Sequence, residues 1–192
     1  MTRLWDKGAP LDERVLKFTA GEDHALDERL VAYDVRASIA HARMLGAQGL
    51  LSASDLQAIC AALQSLGEEH AHGQWRIELA DEDGQTALER RLTQRIGEAG
   101  ERIHLGRSRN DQVLAALRLY LAEVIGQLQD GAQRVAAALD RLAERQGELA
   151  LPGYTHMQQA MPSSVPLWAG GFAAEIRDDA DNLEGVLRRL GR

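Results

Sequence analysis

The residues with chemical potential gather in two short stretches. The first, GRSRNDQ at 106–112, places Ser108, Asn110 and Asp111, types that accept from free backbone amides at a helix start, after a glycine that lets the chain turn. Arg107 and Arg109 bring positive charge to the positive end of a helix dipole, which is unfavourable unless an anion neutralises it. The stretch reads as a carboxylate or phosphate cradle; a solvated helix start with two snorkelling arginines fits the spacing equally well. The second stretch, YTHMQQ at 154–159, follows Pro152 and Gly153, which signal a turn. There a hydroxyl, an imidazole and carboxamides, on Thr155, His156, Gln158 and Gln159, can grip a carboxylate and exchange a proton, although similar clusters also pack ordinary turns.

Helices must position both stretches. Aromatic residues make up 4% of the chain, only 4 prolines occur, and Leu and Ala dominate, so strands are not expected. Residues 1–24 read as an extended arm with at most one helical turn. Leu26, Leu30, Tyr33, Ala37 and Met44 then recur at helical steps until Gly46 and Gly49. His41 beside that stripe reads as a boundary residue. Ser52 and Asp55 form a capping pattern before Leu56, Ile59, Leu63 and Leu66, and Thr86 with Glu89 form another before Leu88, Leu92 and Ile96. Asp81 and Glu82 read as acids complementing that helix's dipole, while the role of Asp83 stays open. After Gln112 the series Leu117, Leu121, Val124, Leu128, Ala132, Val135, Leu139 and Leu142 keeps a four-three rhythm as far as Gly147. That is a helix of roughly 40 residues, about 60 Å. Pro162 and Ser163 read as the start of a last helix burying Val165, Trp168, Phe172, Leu183, Val186 and Leu190, with Gly170 and Gly171 admitting another helix closely. The expected architecture is all-α: a small N-terminal helical domain, 1–105, then the first long helices of a central bundle, 106–192, completed by oligomerisation.

Composition narrows function. A net charge of −7 argues against nucleic acid, whose binding needs a basic face. Cys60 is the only cysteine, so neither an internal disulfide nor a multi-cysteine metal site can form, which suits a reducing cytosol. His70 and His72, two residues apart, do not share a helical face, and no metal site is expected from them. The first ten residues hold no apolar leader segment, and no apolar run is long enough for a bilayer.

Taken together, GRSRNDQ at 106–112 and LPGYTHMQQAMP at 151–162 resemble the argininosuccinate lyase family of the fumarase/aspartase superfamily, with ERRL at 89–92 in support. The resemblance implies reversible elimination of argininosuccinate to arginine and fumarate without metal or organic cofactor, in a cytoplasmic homotetramer whose active sites are shared between subunits. It implies substrate binding by Ser108, Arg109 and Asn110, a carboxylate-holding role for Thr155 and an acid/base role for His156, with Asp83 and Gln158 as further substrate-binding positions. Other readings stay open: the same fold with another succinyl-type substrate, or a non-catalytic helical assembly protein.

Two positions depart from the pattern. Gln85 stands where the family carries a histidine, so a contact there cannot titrate, and Asp23 falls where the family has a substrate-binding serine. The family's serine-bearing C-terminal loop has no counterpart here. The resemblance thus implies the N-terminal portion of a longer enzyme, with little activity alone.

Overall fold

The computed structural model describes residues 12–191, and the beginning of the N-terminal arm lies outside them. By contacts the chain forms two compact units, Met1–Tyr120 and Leu121–Arg192. The domain boundary expected between residues 105 and 106 falls inside the first of these units. The opening turns of the long helix belong there by packing, through buried Gln112 and Ala116 and the edge-on contact of Tyr120 with Tyr33.

Among the described residues the regular elements of the first unit are all helical. From Asp12 on the arm is helical beyond the single turn its composition suggests: Asp12 accepts from the Arg14 amide and caps α1 (Glu13–Ala20), and α2 (Asp23–Leu26) follows Gly21. A 3-10 turn at Asp27–Arg29 leads into α3 (Val31–Ala47). Ser52 caps α4 (Ala53–Ala71) by accepting from the Asp55 amide, as the capping pattern predicts. At α5 (Gly84–Ile96) the cap is Asp83, accepting from the Thr86 amide, so the helix begins before the expected Thr86 cap. The short α6 (Glu98–Glu101) and a 3-10 turn at Arg102–His104 complete the approach to the long helix. Val31, Leu45, Ile59, Leu63, Leu66, Leu88 and Leu92 form the core between α3, α4 and α5.

The core face of α3 is not the one its apolar spacing predicts. Leu26 and Met44 are exposed, and the helix buries Val31, Asp34, Val35, Ser38, Ala42 and Leu45. Two polar residues occupy core positions, and following only the apolar ones puts the stripe one residue out of phase. Asp81, expected as a dipole-complementing acid, is likewise buried, paired with Arg90 at 2.9 Å and Arg91 at 3.3 Å.

The second unit consists of the rest of α7 (Arg109–Gln146), a hairpin and α8 (Val165–Leu190). The long helix matches its expected length, running to Gly147, which has φ +52°. Strands appear where none are expected: β1 (Ala150–Thr155) pairs antiparallel with β2 (Gln158–Ser164). Pro152 and Pro162 lie opposite each other in the strands, beside an irregularity at Gly153. Gly153 is required there, because a Cβ would come within 2.7 Å of the Met161 carbonyl oxygen. The last helix therefore starts after the prolines, with Ser164 accepting from the Leu167 amide. Within the unit α8 returns beside α7, with Arg177 bonded to Asp140 and Gln129 Nε2 donating to the Ala180 carbonyl at 3.1 Å. The residues α8 buries are Val165, Ala169, Ala173 and Ala180; Trp168, Phe172 and Val186, expected inside, are exposed. Among the described residues nothing approaches Gly170 or Gly171, and no helix is long and apolar enough to cross a membrane.

Candidate active site

The start of α7 is built as a capped turn. Gly106 takes φ +73°, Ser108 Oγ accepts from the Asp111 amide at 3.3 Å, and Asp111 Oδ2 accepts from the Ser108 amide at 2.8 Å. This reciprocal arrangement satisfies two free donors at once. The bond from the Ser108 amide, and after it the Ser108 hydroxyl, holds the Asp111 carboxyl below its ordinary range.

The two arginines are answered from inside the protein. Arg107 Nη2 donates to Ser38 Oγ at 3.0 Å and feels the charge of Asp34, while Arg109 reaches Glu89 Oε2 at 3.2 Å and Gln112 Oε1 at 3.4 Å. The positive charge at this helix start is thus balanced in part by Asp34 and Glu89. Ser108 and Asn110 remain exposed on the first turn, and Arg109 is half-buried between them.

Asp34 is 1% exposed, and burial pushes its carboxyl up, against the opposing pull of Gln112, Arg107, Ser38 and Arg109. For Glu89 burial also pushes upward, yet His104, at 2.7 Å, and Arg109 outweigh it and hold the carboxyl below its usual range. His41, a boundary residue as expected, bonds through Nε2 to the Leu105 carbonyl at 2.9 Å, and burial holds its pKa down. The turn before α7 is thereby tied to α3 and α5.

Asp83 stands apart at the cap of α5. One oxygen accepts from the Thr86 amide at 2.6 Å, and the charge of Asp83 adds to the upward push that burial exerts on Asp27, which accepts from the Gly84 amide at 2.9 Å. The preceding Glu82 has φ +70°, a strained conformation for a side-chain-bearing residue. Gln85 is buried and Asp23 opens the short α2.

In the second unit the hairpin gathers Thr155, His156 and Gln158. Thr155 and Gln158 are partners across the last rung, and His156 and Met157 form the loop between them. Both loop residues have positive φ, 48° and 62°, the combination that two-residue hairpins ordinarily give to asparagine and glycine. The imidazole is thus displayed at an exposed tip by a backbone that costs energy to hold.

The sequence reading misses Asp34, Ser38 and His104 as parts of this architecture, and had Glu89 only as a capping and motif residue. An acid and a serine four apart within an apolar helix were the available signal.

Comparison with known proteins follows the same lines. Residues 8–191 match the lyase family. A Sorangium cellulosum protein called argininosuccinate lyase is 46% identical over 179 residues, covering 93% of this chain and 42% of its own length. A Thermotoga neapolitana protein of the same name is 41% identical over 184 residues, covering 96% and 46%. The chain thus spans less than half the length of these relatives. Among solved structures, the Brucella melitensis fumarate lyase:delta crystallin has a TM-score of 0.72 at 20% identity, covering 91% of this chain and 45% of that one. EDDS lyase bound to fumarate has a TM-score of 0.74 at 22% identity, covering 96% and 36%. These two likenesses establish the fold. Since the family match takes in nearly the whole chain and both motif stretches, the chain belongs to the lyase family.

Proposed function

We propose that the chain is the N-terminal portion of an argininosuccinate lyase, catalysing reversible elimination of argininosuccinate to arginine and fumarate. The observation that carries this reading is the 46% identity over 179 residues to a relative of that name. In the reaction a base removes a proton from the carbon next to a carboxylate, the electron pair forms the double bond of fumarate, and the carbon–nitrogen bond to arginine breaks. The aci-carboxylate formed on the way carries extra negative charge and needs preorganised donors. Ser108 and Asn110, exposed at the amino end of α7, and Arg109 beside them are donors of that kind. Thr155 holds a carboxylate and His156 serves in proton transfer, with Gln158 and Asp83 as further substrate-binding positions. The reaction uses no metal or organic cofactor, and the full enzyme works as a cytoplasmic homotetramer with active sites shared between subunits.

Fumarate release tests this with the chain co-folded with the remaining segment of the Sorangium relative. Turnover is expected in the mixture and is expected to fall about 100-fold or more with His156→Ala, the usual scale for losing an acid/base group. A co-assembled mixture that releases no fumarate would overturn the reading in favour of another substrate or a non-catalytic assembly.

A further inference from the structure

We propose that Asp34 is a positioning residue for Arg109, acting through the carboxamide of Gln112. The geometry is a continuous chain of hydrogen bonds. Gln112 Nε2 donates to both Asp34 oxygens at 3.0 Å, and Gln112 Oε1 accepts from Arg109 Nη1 at 3.4 Å. Arg109 Nη2 continues to Glu89 Oε2 at 3.2 Å, which also accepts from His104 Nε2 at 2.7 Å.

A carboxamide has one donating end and one accepting end, whereas a carboxylate only accepts. Asp34 therefore fixes which way Gln112 points: the donor end must face α3, and the acceptor end is left for Arg109. Both residues of this link are shielded, Asp34 at 1% and Gln112 at 3% exposure, so water does not compete for the amide. The guanidinium of Arg109 is then held at two points, Gln112 and Glu89. With only Glu89 left, it can swing about that contact. An asparagine at 34 could donate as well as accept, and would no longer enforce one orientation of Gln112.

The groups facing Asp34 are Ser38 on its own helix, Arg107 in the turn before α7, and Gln112 and Arg109 on α7; Glu89 on α5 acts on both arginines. Ser38 Oγ donates to Asp34 Oδ1 at 3.1 Å but lies outside the Gln112–Arg109 link, which makes it the natural control. The functional meaning of the relay, that Asp34 sets the geometry of a substrate-binding arginine, rests on the function proposed above.

The test is NMR of the 192-residue chain, following the Arg109 Nε–Hε signal and the rate of rotation of its guanidinium. Asp34→Asn and Gln112→Met are each expected to speed that rotation at least threefold, while Ser38→Ala leaves it unchanged. Should Asp34→Asn fail to fold, Gln112→Met, close to isosteric, decides alone. Unchanged rotation in Gln112→Met, or an equal acceleration in Ser38→Ala, would overturn the proposal, the latter because it would mark general loosening. Fumarate titration of the same chain separates the two readings: faster rotation in the variants without any fumarate response removes the substrate assignment and leaves the control of Arg109 by Asp34 standing.

Discussion

The two compact units bury different kinds of side chain. In Met1–Tyr120 the interior is made of large aliphatic groups, with Leu45, Ile59, Leu63 and Leu92 at 1% exposure or less, and the buried carboxylates among the described residues, Asp34 and Asp81, are both partnered. In Leu121–Arg192 the buried residues are mainly alanines, 136, 169, 173 and 180, while Leu128 is 57% exposed and Trp168 49%. Hydrophobic stabilisation scales with apolar area removed from water, so alanine contacts contribute little. The first unit is a self-sufficient core; the second keeps its large apolar groups on the surface, which is what the proposed tetramer requires of a bundle helix.

The contrast breaks most sharply at Asp81. Its carboxylate is fully buried between Arg90 and Arg91 and also accepts from the Glu78 amide at 3.1 Å. Removing one partner of a buried ion pair is costly; because both guanidinium groups retain some water, Asp81→Ala is expected to cost about 3 kcal/mol, the low end for such a loss. Urea unfolding followed by Trp75, with Trp5 and Trp168 replaced by phenylalanine, reads the first unit. A loss under about 0.5 kcal/mol, the level of an ordinary surface change, would show the pair to be idle.

A paired substitution sharpens the comparison. Leu63→Ala removes a core side chain and should cost about 3 kcal/mol, whereas Leu128→Ala, on an exposed face, should cost less than about 0.5 kcal/mol in the isolated chain. Urea unfolding checks both, read at Trp75 as above for Leu63→Ala and, with Trp5 and Trp75 replaced by phenylalanine instead, at Trp168 for Leu128→Ala. Equal losses would mean that the exposed face of α7 is already covered. At the hairpin the expected change is a gain: Met157→Gly relieves one left-handed residue and should stabilise the second unit by about 1 kcal/mol. A loss in the Trp168 transition would show that Met157 makes contacts worth more than its backbone strain.

What was legible in the sequence follows the same division of physics. The long helix was readable because a four-three apolar rhythm and the absence of proline act locally, and the Gly106 turn and Ser108 cap because glycine and hydroxyl groups signal helix starts directly. The α3 face was not, because Asp34 and Ser38 are buried through Gln112 and Arg107, some seventy residues away in sequence, and no local period reveals such partners. The hairpin was missed because its signals are prolines and a glycine, which mark strand pairing only when Gly153 meets the Met161 carbonyl across the rung. The site was legible as residue types but not as geometry. Arg107 and Arg109 stand out in the sequence as charges needing an anion, yet the anions that answer them, Asp34 and Glu89, come from α3 and α5.

Those two carboxylates give the smallest expected effect, and they act in opposite directions. Glu89 has a folded pKa below its reference of 4.5, so its stabilisation is fully present above that value and is lost as pH falls through the folded pKa. Asp34 has a folded pKa above its reference of 3.8, so the native state holds its proton more tightly, and stability falls as pH rises from 3.8 through the folded pKa. Glu89→Gln keeps an acceptor for Arg109 while removing the titration, and should flatten the acid-side loss of the Trp75 transition. Asp34→Asn should steepen it, because the compensating gain on protonation disappears. Differences from the parent chain cancel the contribution of His41, which titrates in both. If Glu89→Gln leaves the acid limb unchanged, the charge of Arg109 is not balanced by Glu89, and the start of α7 is again a site with positive charge to spare.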